Sequence, residues 1–153
     1  MDCSESRSAM LFWGIRFIME WVIWLALADK ARWKEILPVC IFAGYISLVA
    51  DQLCELLELW EYAPVDAFGD LVNATGMYLV VTYLFIQWLP GNKSLPGLAA
   101  YFFIWTSMVI IIEFLHLQHG KLLYDNWHLY YSYIADWILF GLLYKFYRVF
   151  RQR

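Results

Sequence analysis

Leu71-Val-Asn-Ala-Thr-Gly-Met-Tyr-Leu-Val-Val-Thr-Tyr-Leu-Phe-Ile-Gln-Trp-Leu89 contains no charged residue, and its most polar member is Asn73. The run is close to the roughly 20 apolar residues that cross the ~30 Å hydrocarbon core of a bilayer. Within lipid, a lone segment satisfies its own backbone N–H and C=O groups only as a helix. The stretch therefore reads as a transmembrane helix, and the remainder of the chain can be read outward from it.

Four more segments fit the same description, giving spans at about 9–28, 36–54, 71–89, 95–115 and 127–147. The first carries Arg16 and Glu20 and ends in Ala26-Leu-Ala28, which resembles a signal cleavage site. A signal core seldom holds two charges, so a span is expected there, with an interfacial helix as the rival. Composition agrees with the class. Of 153 residues, 63% are hydrophobic and 16% charged, more apolar surface than a soluble domain of this size can cover. The expected fold is an all-α, polytopic membrane bundle in one domain.

A net charge of −3 leaves no basic footprint for nucleic acid, but the placement of the charges is informative. If the loops alternate sides, Lys30, Arg32, Lys34, Lys93, Lys145, Arg148, Arg151 and Arg153 share one side, and only Arg7 and Lys121 occupy the other. The basic side is then cytoplasmic and the N-terminus outside, in a cell membrane. Trp60, Tyr62, Tyr124, Trp127 and Tyr130 would form an outer aromatic belt, and Trp33, Trp88 and Tyr147 an inner one. Three cysteines without a C-x-x-C pair indicate free thiols, Cys3 with Cys54 being the one pairing this topology allows.

The polar residues within the spans recur at helical spacing. Gly44, Ser47, Asp51, Glu55 and Glu58 form one stripe, and Asp66, Asp70, Asn73 and Gly76 a second. Thr106, Glu113, His116 and Gly120 form a third, His128, Ser132 and Asp136 a fourth, and Arg16 with Glu20 a fifth. A central charge costs about 2.5–3.5 kcal/mol on insertion scales, so these stripes are expected to face inward. Arg16, Glu20, Asp51, Asp70, Asn73, Glu113 and Asp136 are the candidate lining of an outward-facing acidic pocket. Arg16 alone cannot neutralise four or five acids, which leaves protonation, mutual hydrogen bonding or a bound cation. A satisfied network that merely fixes helix register is the alternative.

No cofactor is evident. His116, His119 and His128 beside Glu113 offer imidazole and carboxylate for a divalent metal, although no H-E-x-x-H is present. Ser132 has His128 one turn away but lacks a nucleophile elbow.

The second and fourth spans end alike. Asp51 precedes Tyr62, and Glu113 precedes Tyr124, by the same spacing and with a Trp nearby, which predicts a repeated helix hairpin. In Leu59-Trp-Glu-Tyr62 after the Asp51 helix, and in Glu113 followed by Tyr124-Asp-Asn-Trp127 and Ser132, the chain resembles a family of small multi-helix membrane proteins of spore-forming Gram-positive bacteria. The resemblance covers about Asp51 to Tyr147 and implies five membrane helices, without an established activity or catalytic residues. Members commonly carry Gly near Glu58, where this chain differs. A weaker likeness is to small membrane carotenoid cyclases, whose paired glutamates after a proline are missing at Pro64-Val65-Asp66.

Three functions fit these readings. The leading one is a membrane module that binds a cation or small ligand, or assembles with copies of itself or with a membrane partner protein. An acid–base enzyme working on a lipophilic substrate through Asp51, Glu113 and Asp136 is the second. An ion pathway is disfavoured, because the inner halves of the third and fourth spans carry almost no polar residue.

Overall fold

The uncharged run forms the middle of the molecule. The computed structural model describes residues 3–63, 66–91 and 94–151. Expectations that fall on Pro64, Val65, Lys93 and Arg153, and on the side chains of Cys3 and Asp66, lie outside the described residues. Among these, five helical rods make an all-α bundle. They are α1 (Cys3–Leu27), α2 (Trp33–Leu56), a rod of α3 (Asp66–Val72), a π-helical turn (Asn73–Met77) and α4 (Tyr78–Gln87), then α5 (Leu95–Gln118) and α6 (Leu129–Arg151). A single 3-10 turn, Lys30–Arg32, joins α1 to α2 and is capped by the Asp29 side chain.

Four rods are long and apolar enough to cross a membrane: Met10–Leu27, Lys30–Leu56, Phe68–Gln87 and Leu95–Gln118. The central one is 72% buried and α1 only 6%, so α1 sits at the rim with Ile15, Ile18, Val22 and Leu25 turned outward. Such apolar outward faces suit contact with lipid. The last rod, α6, is amphipathic. Ser132, Asp136, Phe140, Leu143 and Tyr147 are its buried stripe, while Lys145, Arg148 and Arg151 face out.

Close approach is set by small residues, as membrane helix packing requires. A Cβ on Gly44 would stand 2.9 Å from the Ala74 carbonyl oxygen and 2.8 Å from Leu79 Cδ1, so α2 lies directly against the π-helical turn. At Gly76 a Cβ would strike the Glu20 carboxylate of α1.

The repeated hairpin is written in backbone hydrogen bonds. At the end of α2, Glu58 N–H donates to Glu55 O (3.0 Å) and Leu59 N–H to Cys54 O (2.8 Å). At the end of α5, Gly120 N–H donates to Leu117 O (3.1 Å) and Lys121 N–H to His116 O (2.8 Å). Both are Schellman caps, and both need a left-handed residue one past the C-cap: Glu58 (φ 53°) and Gly120 (φ 61°).

The two loops then pair with each other. β1 (Trp60–Glu61) runs antiparallel to β2 (Leu123–Tyr124), with Trp60 opposite Tyr124 and Glu61 opposite Leu123. Ala63 N–H donates to Lys121 O and Asp125 N–H to Leu59 O, an arrangement that exchanging the two loops leaves unchanged. Both α2 and α5 therefore end at this bridge and run the same way. The basic residues Arg32, Lys145, Arg148 and Arg151 gather at the opposite end.

Not every expected belt residue stays at the rim. Tyr147 is 4% exposed and hydrogen bonded to Arg32 and Glu35, while Tyr62 packs edge-on against Trp13. Their hydroxyls and rings find partners between helices, which outweighs a place at the interface. Cys40 and Cys54 are free thiols.

The cap geometry makes opposite predictions at equivalent positions. Glu58→Gly removes left-handed strain and raises stability by about 1 kcal/mol, whereas Gly120→Ala, with open space around it, lowers it by a similar amount. Thermal unfolding of both variants in detergent reads the two signs.

Candidate functional site

Arg16, on the inner face of α1, is the first polar group that must be satisfied. Its Nε donates to Glu20 Oε1 (2.8 Å), and its Nη2 to Asn73 Oδ1 (2.5 Å) and Met77 Sδ (2.9 Å). Nη1 lies 3.0 Å from His116 Nε2, and the guanidinium sits over the Trp13 ring at 5.1 Å. His116 Nδ1 is 2.7 Å from the Ile112 carbonyl. A carbonyl only accepts, so Nδ1 carries the proton and Nε2 receives Arg16. The imidazole also stacks flat on Trp13. One arginine thus ties α1 to the π-helical turn and to α5.

The π-helical turn has its own part in this. Its wider ring, closed by Tyr78 N–H to Asn73 O, splits the polar stripe of the third rod. Asn73 reaches Arg16, whereas Asp70 accepts from Gln52 on α2 (2.8 Å). Such turns recur at functional sites because they redirect side chains within a helix.

Beneath Arg16 lies a cavity of about 180 Å³, lined by Arg16, Asn73 and the acids Asp51, Glu113 and Asp136. Each acid sits in a different setting. Asp51 is 4% exposed and accepts from Ser47 Oγ (3.2 Å). Glu113 Oε1 accepts from Ser132 Oγ (2.6 Å) and from the Tyr124 hydroxyl, and Ser132 in turn accepts from Trp127 Nε1 (2.8 Å). Asp136 is 8% exposed, and its buried Oδ2 has no hydrogen-bond partner among the described residues. A buried unpaired polar atom costs about 1–3 kcal/mol.

Aromatic residues complete the wall. Trp60, Tyr62, Tyr78 and Trp127 line it together with Ile46, Val109, Ile112 and Leu139. Burial, with Asp51 nearby, raises the Tyr62 phenol well above its usual range, and burial beside Glu113 raises that of Tyr124. Both remain protonated near neutrality, so the bridge end contributes donors and no further negative charge. Below the cavity the core closes. Phe85, Phe102, Trp105 and Phe140 pack ring against ring, so the cavity is blind on the basic side.

The structure thus brings Arg16, Asp51, Asn73, Glu113 and Asp136 to one cavity, with Glu20 held behind Arg16. Asp70 is buried beside α2 but does not line it. The histidine cluster does not form. His116 has both ring nitrogens engaged, His119 is the exposed C-cap of α5, and His128 is exposed and stacked on Tyr130 and Tyr131. No group of three His, Cys, Asp or Glu is placed to hold a metal among the described residues. Sequence reasoning missed Tyr78 and Met77 as wall residues, because each is an ordinary member of an apolar run.

No family model matches the chain, and neither a curated protein nor a solved structure is similar to it.

The ion pair at 12% and 15% side-chain exposure sets the expected effect of removing one partner. Arg16→Leu leaves Glu20 charged and unpaired and costs about 3–5 kcal/mol, whereas Arg16→Leu with Glu20→Leu recovers most of that. Thermal unfolding of the two variants in the same detergent checks the order.

Proposed function

We propose that the chain is an integral membrane binding protein for a small organic cation, held in the acidic and aromatic cavity. The observation that carries this reading is the cavity shared by Asp51, Glu113 and Asp136, with Asp136 Oδ2 buried and unpartnered among the described residues. Among the described residues Arg16 is the only cation of the wall, and it is already paired with Glu20. An ammonium group would supply the missing positive charge and donors. Trp60, Tyr62, Tyr78 and Trp127 line the cavity, and aromatic rings bind organic cations by cation–π attraction.

Size and chemistry narrow the ligand. Water occupies ~30 Å³ in the liquid, so the cavity of about 180 Å³ suits a molecule of a few heavy atoms. Pockets for larger ligands run to ~300–1,000 Å³, and an acid–base enzyme for a lipophilic substrate would need that room. A bare metal ion wants clustered ligands, and no group of three His, Cys, Asp or Glu is placed to hold one among the described residues.

The same proposal includes α6 as a fifth span, its 23 residues at ~1.5 Å per residue being long enough for the hydrocarbon. It places the basic end in the cytoplasm and the β1–β2 bridge outside. Membership of the spore-former membrane family belongs here too, supported by the Trp60 and Tyr124 loops that pair with one another.

Two experiments test this. In thermal-shift titrations of the purified full chain, methylammonium and tetramethylammonium raise the midpoint, by the equivalent of about 2.7 kcal/mol at a hundred times Kd. Asp136→Asn abolishes the shift, and sodium or magnesium at equal concentration does not reproduce it. Stabilisation by the metal ions instead, or by nothing, sinks the reading. For orientation, a single engineered cysteine at Asp125 is expected to react with an impermeant maleimide on intact cells, and one at Lys145 only after permeabilisation.

A further inference from the structure

The basic end of the bundle carries a second cavity, independent of the acidic one. It measures about 600 Å³ and lies where α4, α5 and α6 meet the 3-10 turn. Three guanidinium groups line it, from Arg32, Arg148 and Arg151, together with the Tyr147 hydroxyl. Ile86, Leu89 and Leu98 give it apolar lining as well.

Charge bookkeeping shows what is left over. Glu35 accepts from Arg32 Nε (3.2 Å) and pairs with Arg151 Nε (3.4 Å), so one carboxylate serves two arginines. Tyr147 donates to that same carboxylate and accepts from Arg32 Nη2 (3.0 Å) and Arg151 Nη1 (3.5 Å). Arg148 has no carboxylate partner among the described residues and lies over the Tyr144 ring at 5.8 Å. Among the described residues, three guanidinium groups thus have between them the single carboxylate of Glu35.

We infer that this cavity holds the phosphate of an anionic phospholipid, with the guanidinium groups on the headgroup and the apolar lining along the start of the acyl chains. Guanidinium forks match phosphate oxygens in pairs. Basic pockets between membrane helices at the charged end are the recurrent form of such sites. A free phosphate would use the arginines but not Leu89 and Leu98, and a volume of this size exceeds what an inorganic ion fills.

Arg148 is the residue to change, because it makes no internal ion pair whose loss would unfold the chain. The full chain is purified in mild detergent, and native mass spectrometry is used to compare retained phosphatidylglycerol with phosphatidylcholine. The wild type is expected to keep one phosphatidylglycerol in preference, and Arg148→Gln to weaken that retention about fivefold, the effect of one basic side chain on an anionic headgroup. Lys121→Gln, at the other end, is expected to leave it unchanged. Equal retention of the two lipids, or an Arg148→Gln variant that matches the wild type, overturns the assignment. Complete displacement of the lipid by millimolar inorganic phosphate also overturns it, because the site then recognises a free anion.

Discussion

A guanidinium inside an apolar helix is tolerated only when its charge and all its donors are met, and Arg16 is met from three sides. Glu20 supplies the countercharge, Asn73 and Met77 of the π-helical turn accept from Nη2, and the Nδ1–H tautomer of His116 accepts from Nη1. The arrangement explains why α1, which is otherwise almost wholly outward-facing, docks where it does. It also gives the Nε2 lone pair of His116 a partner within the protein. The π-helical turn, Gly76 and the flat stacking of Trp13 on His116 all serve that one group.

Around this anchor the molecule is built from two similar hairpins. The caps at Glu58 and Gly120 give α2 and α5 the same ending, and the loops that follow bond to each other across the β1–β2 bridge. Asp51 and Glu113 occupy equivalent places before those caps, so the duplication itself sets two acids facing one space. The hairpins differ in what surrounds the acids. Glu113 is reached by Tyr124 and Ser132, Asp51 by Ser47, and Asp136 Oδ2 has no partner among the described residues. That asymmetry turns a repeated scaffold into a single cavity with a direction.

The two ends have opposite chemistry because a band of packed rings separates them. Phe85, at the centre of that band, is fully buried among Tyr101, Phe102, Trp105 and Phe140. Asp51, Glu113 and Asp136 lie on one side and Arg32, Arg148 and Arg151 on the other.

The sequence by itself determined that the chain is a set of membrane-length helices, since uncharged runs such as Leu71 to Leu89 have one satisfactory structure in lipid. It also determined which face of each helix is polar, because helical spacing fixes angles about the helix's own axis. The repeat was legible for the same reason, in the matched spacing of Asp51 to Tyr62 and Glu113 to Tyr124. Only the tertiary structure decided which polar faces meet. Spacing along one axis says nothing about the neighbouring axis, so Asn73 joining Arg16 while Asp70 turned to Gln52 depended on the π-helical turn. The separation of His116 from His119 and His128 depended likewise on where α5 stops. Its cap is a backbone geometry that an αL residue permits, and Glu58 adopts it as Gly120 does, which residue type alone would not reveal.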